Sequence, residues 1–397
     1  MICLLLLISL MVFGCIKPEE KPEKIVIGEI DPLTGRLAKS GMSVHKGVLY
    51  AIEEVNSKGG INGRNVTLVY RDDQSKPERA IAAAEELCSK ENVVALTGGY
   101  VDSLVGPISE IAQKYHVPYV ASASLQIALS KRGNEYFFRV SNVKAFINAT
   151  TGVVLEVFRP KSVAILYSST PGSTELANHQ KEILEKNGVK VSVFEKFRPG
   201  TPDFTPLLAK VQQEGVDVLL VNGFFSDNVL MIRQLKESNI DVKAYLGSFT
   251  IEDPEFITEM KEDGEYIYGT AGWEKGITTP GTEKLSEEYI EGFKRMFGHE
   301  PEALTSHGYA STKAILEAIK RTLDKGLPLT GENIREELTK IDLLLPLERL
   351  KFDENGDPMY YTRVVFQIQN GTHVVIYPKE RATGNAIYPM PRWSERM

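Results

Sequence analysis

Within residues 25–70 the chain runs through a short apolar stretch, an amphipathic stretch stopped by paired glycines, and a second short apolar stretch. Ile25–Ile30 reads as a buried strand. Val44, Val48, Leu49, Ile52 and Val55 fall near helical spacing and predict a helix over 42–58. Gly59 and Gly60 supply the positive-φ stop, Gly63 helps turn the chain, and Val66–Tyr70 reads as another buried strand. Strand, crossover helix and strand make a βαβ unit. Such a unit commits the chain to a largely parallel sheet with helices packed on its faces.

The alternation continues. Val93–Thr97 and Pro118–Ala121 read as strands, helices are expected near 77–90 and 103–115, and Phe137–Val140 follows as a short connecting strand. A second set then starts. Its strands are Val163–Tyr167, Val189–Phe194, Val216–Val221 and Ala244–Leu246, with helices near 173–187, 204–214 and 227–238. After Tyr266–Gly269 come helix patterns at 283–297 and 308–325, then a β-rich end at Leu350–Phe352, Val364–Ile368 and Val374–Tyr377. The same architecture occurs twice without sequence repetition, and 397 residues leave room for two or three domains. The expectation is an α/β fold of two doubly wound parallel-sheet lobes.

A net charge of −7 argues against a nucleic-acid partner, which calls for a basic face. Three cysteines are too few for a disulfide scaffold, and Cys88 reads as a small buried apolar residue. The six histidines show no metal-ligand spacing, so no metal site is expected. The chain has no G-x-S-x-G, H-E-x-x-H or phosphate-loop motif and no G-x-G-x-x-G after a strand, so no cofactor and no enzymatic activity are expected. Asp72-Asp73 is an acidic pair at a strand end, read as a structural turn rather than a catalytic one.

Met1–Phe13 is nearly all apolar and stops at Gly14-Cys15. At about 13 residues it is short of the roughly 20 that span a membrane, and it fits a signal peptide over 1–15. Val12-Phe13-Gly14-Cys15 resembles a lipobox, in which Cys15 becomes the lipidated first residue. No Lys or Arg precedes the apolar run, and Phe13 is larger than the residue usual there. A short uncleaved anchor is the alternative. Either reading places the body outside the cell membrane. Residues 16–24 are charged and carry prolines, as a tether does, and 381–397 is a Pro- and Arg-bearing tail, either a surface strap or loose.

The stretch Glu54–Arg64, leading to Arg71-Asp72-Asp73 with Asp31-Pro32-Leu33-Thr34-Gly35 upstream, resembles the opening unit of the type I periplasmic binding proteins. The nearest likeness is to the Leu/Ile/Val-binding branch, the extracytoplasmic receptors of ABC importers. The resemblance implies a three-segment hinge near 140–145, 266–272 and 342–350. Lobe one would be 25–141 plus 270–341, and lobe two 146–265 plus 350–378. It also implies a small-molecule ligand held between the lobes, an amino acid or a related amide or aromatic compound, an ABC permease as partner, and membrane attachment through a lipid anchor only. A ligand-sensing subunit for signalling remains the alternative to import.

Ligands of open α/β sheets bind outside the carboxyl ends of the strands. The loops there include Ser40-Gly41, Gly98–Val105, Ala121–Leu125, Ser168–Thr174, Asn222–Asp227 and Gly247–Ile251. Tyr100, Asp102 and Ser103 lie where a strand meets a helix, and Asp102 or Ser103 caps that helix or meets the ligand. In amino-acid-binding relatives a serine here holds the ligand carboxylate. Asp102 takes that place, and a carboxylate suits an ammonium, a hydroxyl or an amide better. Ala123 and Ser124 match the second lobe-one loop, with Leu125 in place of a threonine. Phe224 matches an aromatic cover on lobe two. Phe249 stands where branched-chain binders carry an acid, the nearest acids being Glu252 and Asp253, and Tyr309 matches a position near the cleft. Ser40 completes the candidate set. The aromatics are either pocket walls or core.

Overall fold

The computed structural model describes residues 24–273, 276 and 278–396. The expected signal peptide, Cys15 and the tether up to residue 23 lie outside the described residues.

The first sheet contains β1 (Ile25–Asp31), β2 (Val66–Asp72), β3 (Ala95–Tyr100), β4 (Tyr119–Ala123) and β5 (Phe137–Arg139), all parallel, in the order β2-β1-β3-β4-β5. The second contains β6 (Ser162–Ser168), β7 (Lys190–Phe197), β8 (Val218–Asn222), β9 (Ala244–Gly247) and β10 (Tyr268–Ala271), in the corresponding order β7-β6-β8-β9-β10. Two separate stretches of sequence thus build one topology twice. β11 (Asp342–Leu344) and β12 (Arg349–Lys351) pair as an antiparallel ribbon, and β13 (Val364–Gln369) and β14 (Thr372–Tyr377) extend the second sheet antiparallel beyond β10. Every residue of β3 and of β8 is buried, as helices on both faces of a parallel sheet require.

The helices Pro77–Lys90, Asp102–Tyr115, Pro171–Lys186, Thr205–Glu214, Phe225–Glu237 and Glu283–Phe297 fall at the expected places. The first helix runs Ala38–Asn56, starting before its apolar stripe, and the helix expected from 308 begins at Ala303. Helices Val143–Val153, Pro254–Met260 and Gly331–Leu338 gave no sequence signal; the first is buried on most sides, so no polar face marks its period. Leu350–Phe352, expected with the second lobe, joins neither large sheet. Arg349–Lys351 pairs with Asp342–Leu344, and Leu350 and Phe352 pack into the first core, Phe352 5.1 Å from the Phe138 ring.

Two glycines bring the late helix Ala303–Asp324 onto the first lobe. A Cβ on Gly47 would stand 2.0 Å from the Thr305 carbonyl oxygen, and one on Gly308 would stand 2.1 Å from that of Val44. The backbones of Ala38–Asn56 and Ala303–Asp324 therefore touch at a distance only glycine permits. The tail 382–396 is a strap along the second lobe: Met390 N–H donates to the Lys243 carbonyl and Trp393 Nε1–H to that of Ile240.

Candidate functional site

The carboxyl ends of both sheets face one another across a cavity of about 700 Å³, its open mouth included. Tyr100, Asp102, Ala123, Phe224 and Phe249 all line it, so five of the nine ligand-contact candidates meet in one space. Ser40, Ser103, Ser124 and Tyr309 do not. Ser40 bonds the Tyr100 hydroxyl, and Ser103 is exposed. Ser124 is fully buried and donates to Asp102. Tyr309 stacks on Tyr50 at 5.6 Å and donates to Glu54 Oε2 at 2.8 Å, inside the first lobe's core.

Local chemistry explains how Asp102 is aimed. Gly99 adopts φ 92°, and its N–H donates to the buried Asp31 Oδ1 at 2.8 Å, which turns the chain at the end of β3. Val101 follows at φ 67°, an unfavourable conformation for a β-branched residue, held by its N–H bond to the Ala123 carbonyl. Asp102 then opens the helix. Its Oδ1 accepts from Ser124 Oγ, Leu125 N and Gln126 N at 2.8–2.9 Å, which fixes the loop after β4. Its Oδ2 turns to the second lobe, where a Cβ on Gly172 would lie 2.5 Å away. The carboxylate therefore serves both as a loop anchor and as a cavity wall.

Phe224 and Phe249 are stacked, ring centres 5.8 Å apart, and Phe249 meets Phe146 edge-on at 5.2 Å. Beside them lies a polar floor that sequence reasoning missed. Arg363 is buried. It donates from Nε to Thr270 Oγ1 (2.9 Å), from Nη1 to the Tyr361 hydroxyl (2.9 Å), and from Nη2 to Glu252 Oε1 (2.5 Å) and the Thr270 carbonyl (2.8 Å). Its guanidinium lies 4.0 Å from the Phe146 ring centre. Glu252 Oε2 and His307 Nδ1 are buried without a partner. Burial, and then the charge of Arg363, pushes His307 down to about 3, so the ring is neutral. Burial and the neighbouring Glu252 charge push Asp253 up to about 7 against the opposing effect of Lys39. Glu252 sits just past Phe249 in sequence and was legible as a nearby acid. Tyr361 and Arg363 lie just before an antiparallel strand and had no local signal.

Contacts cross directly between the lobes. Ile127 N–H donates to the Glu175 carboxylate at 3.0 Å. Lys39 pairs with Asp253 at 3.5 Å and with Glu255, and lies 4.2 Å from the Phe225 ring centre. The cleft is closed. Asp72, the one sequence candidate for carboxylate chemistry with Asp73, instead ties turns together by accepting from Leu33 N, Thr34 N, Thr34 Oγ1 and Gln74 N.

The model of the periplasmic binding protein family matches residues 24–372. The Leu/Ile/Val-binding protein homolog 7 of Brucella abortus is 25% identical over 382 residues, covering 92% of this chain and 94% of that one. The homolog 2 of the same species is 28% identical over 348 residues, covering 87% and 91%. Among solved structures, the leucine binding protein LivK of Thermotoga maritima superposes with TM-score 0.79 at 26% identity over 90% of this chain and 99% of that one. A solute binding protein of Rhodopseudomonas palustris, in complex with 3,4-dihydroxybenzoic acid, shares the fold at TM-score 0.77 and 18% identity, covering 92% and 98%. With nearly its whole described length matched, and two like-ordered sheets closing on one cavity, the chain belongs to the periplasmic binding protein family.

Proposed function

We propose that this protein captures a small molecule between its lobes by hinge closure and delivers it to the permease of an ABC importer. In this reading it works outside the cell membrane, held to the outer face by a lipid on Cys15. Among the described residues no helix is long and apolar enough to cross a membrane. Tyr100, Asp102, Ala123, Phe224 and Phe249 contact the ligand, Ser124 fixes Asp102, and Ser40 positions the Tyr100 hydroxyl. The observation that carries the reading is that strand-end loops of both sheets line one cavity while Lys39, Ile127, Asp253 and Glu175 tie the lobes across it. A ligand wedged there gains contacts only in the closed state, and so shifts the open–closed equilibrium toward it.

Thermal unfolding of the full chain against pools of amino acids, aromatic acids, amides, amines and nucleosides tests capture. A ligand at 100 times its Kd adds about 2.7 kcal/mol of stability. A hit accompanied by a smaller radius of gyration in solution scattering supports capture with closure. A chain that no pool and no small-molecule extract stabilises refutes it.

A further inference from the structure

We propose that the cleft selects a compact organic cation, an amine or amidinium whose other polar group is neutral, and discriminates against the matching carboxylate. This rests on the capture reading above and adds the charge sign of the ligand.

Three features of the wall carry the inference. First, acidic side chains stand at the helix starts around the cavity. Asp102 is the first residue of the helix Asp102–Tyr115, and its Oδ2 also lies beside Gly172 at the start of Pro171–Lys186. Asp227 takes the Phe224 N–H at the start of Phe225–Glu237. Asp253 precedes Pro254–Met260. Along the cavity wall an incoming anion would meet the Asp102 and Asp253 carboxyls. Second, the one guanidinium in the wall is engaged. Of its five N–H donors, four point to Thr270 Oγ1, the Thr270 carbonyl, Tyr361 and Glu252, and its face covers Phe146. A ligand carboxylate would have to break the buried Glu252 pair to gain a bidentate contact.

Third, the unfilled groups have the polarity a cation needs. Glu252 is nine-tenths buried, lines the cavity, and leaves Oε2 without a donor. Arg363 can only donate, so the Tyr361 oxygen accepts from Nη1, and the same hydroxyl shares a hydrogen bond with His307 Nε2, 3.3 Å away. His307 Nδ1 is left buried at the cavity wall without a partner. A neutral ring nitrogen suits a neutral polar group such as an amide or a hydroxyl. Tyr100, Phe224 and Phe249 present aromatic surface for the body of the ligand and for a positive charge. The wall thus asks for a charged donor at Glu252, a neutral polar group at His307 and an apolar body between them.

Matched pairs test this on the full chain after unfolding and refolding to remove bound ligand. Calorimetric titration would compare leucinamide with leucine, phenylalaninamide with phenylalanine, and benzamidine with benzoate. We expect at least one cation to bind, and each cation that binds to exceed its acid by about 10- to 100-fold, the worth of one charge-assisted hydrogen bond. Glu252→Gln, shown folded by circular dichroism, brings the ratio toward parity. In the wild type alone, an acid that binds as tightly as its cation overturns the ligand class and leaves capture standing. If cations, acids and the small-molecule fraction of a cell extract all fail to bind, capture and the ligand class fall together.

Discussion

Gly172 gives the sharpest test of closure. It lies in the first turn of Pro171–Lys186, and a Cβ there would stand 2.5 Å from Asp102 Oδ2 and 3.1 Å from Leu125 Cβ. Both atoms belong to the facing lobe. Asp102 cannot swing aside, because its Oδ1 holds three donors from 124–126. A methyl group at 172 must therefore keep the lobes apart by several tenths of an ångström, and overpacking of this kind costs about 1–3 kcal/mol. Gly172→Ala should weaken ligand binding by roughly 5- to 150-fold. In an open molecule the same methyl meets nothing, and alanine in a helix is favoured over glycine by up to about 1 kcal/mol. The two readouts should move in opposite directions: the unfolding midpoint without ligand unchanged or raised, the affinity lowered. Calorimetric titration and differential scanning calorimetry on the same preparation measure both. An affinity within about twofold of wild type would refute the closed geometry as the ligand-bound one. A clear drop in the ligand-free midpoint would refute the premise that the free protein opens.

Arg363→Met leaves Glu252 buried without its cation and should lower stability by about 3–5 kcal/mol in urea unfolding; adding Glu252→Gln should recover part of the loss, and strict additivity of the two changes would count against the pair. Lys39→Ala removes an interlobe pair whose lysine is 40% exposed, so it should weaken ligand affinity by no more than about fivefold, with the effect vanishing near 0.5 M salt. Asp253 carries a linkage with a definite sign. Its carboxyl stands at about 7 in the folded chain against an ordinary 3.8, so between those values the unfolded chain has released a proton that the folded one keeps. Stability therefore falls as pH rises from about 4 to 7, and Asp253→Asn should flatten that part of the profile in urea titrations; an unchanged slope would refute it.

The two-sheet architecture was legible because its signals are local. Short apolar runs such as Val218–Val221, amphipathic periods and glycine stops such as Gly59-Gly60 each act over a few residues, and most predicted strands lie within two residues of those observed. Val143–Val153 escaped because a helix buried on most sides loses its period. The site was half legible. Asp102, Phe224 and Phe249 sit at strand ends, which topology makes into cleft walls. Tyr309 occupies a comparable stretch of sequence, yet it packs on Tyr50 beside Tyr289 and Glu54. An aromatic side chain carries no local mark of whether it faces a core or a cleft.

By itself, the sequence determined the alternation of strands and helices, the repetition of one topology, and the loops in which a ligand site would form. Tertiary structure decided which side chains share the cavity. Arg363 and Tyr361 enter it because β13 runs antiparallel beside β10, bringing a residue more than 90 positions away onto Thr270. His307 enters because two glycine contacts seat its helix against Ala38–Asn56. Gly172 meets Asp102 only when two separately folded sheets close on each other. Such contacts depend on distances between elements, which no short window of sequence encodes. The polarity of the cleft was therefore settled where the chain packs rather than where it merely repeats.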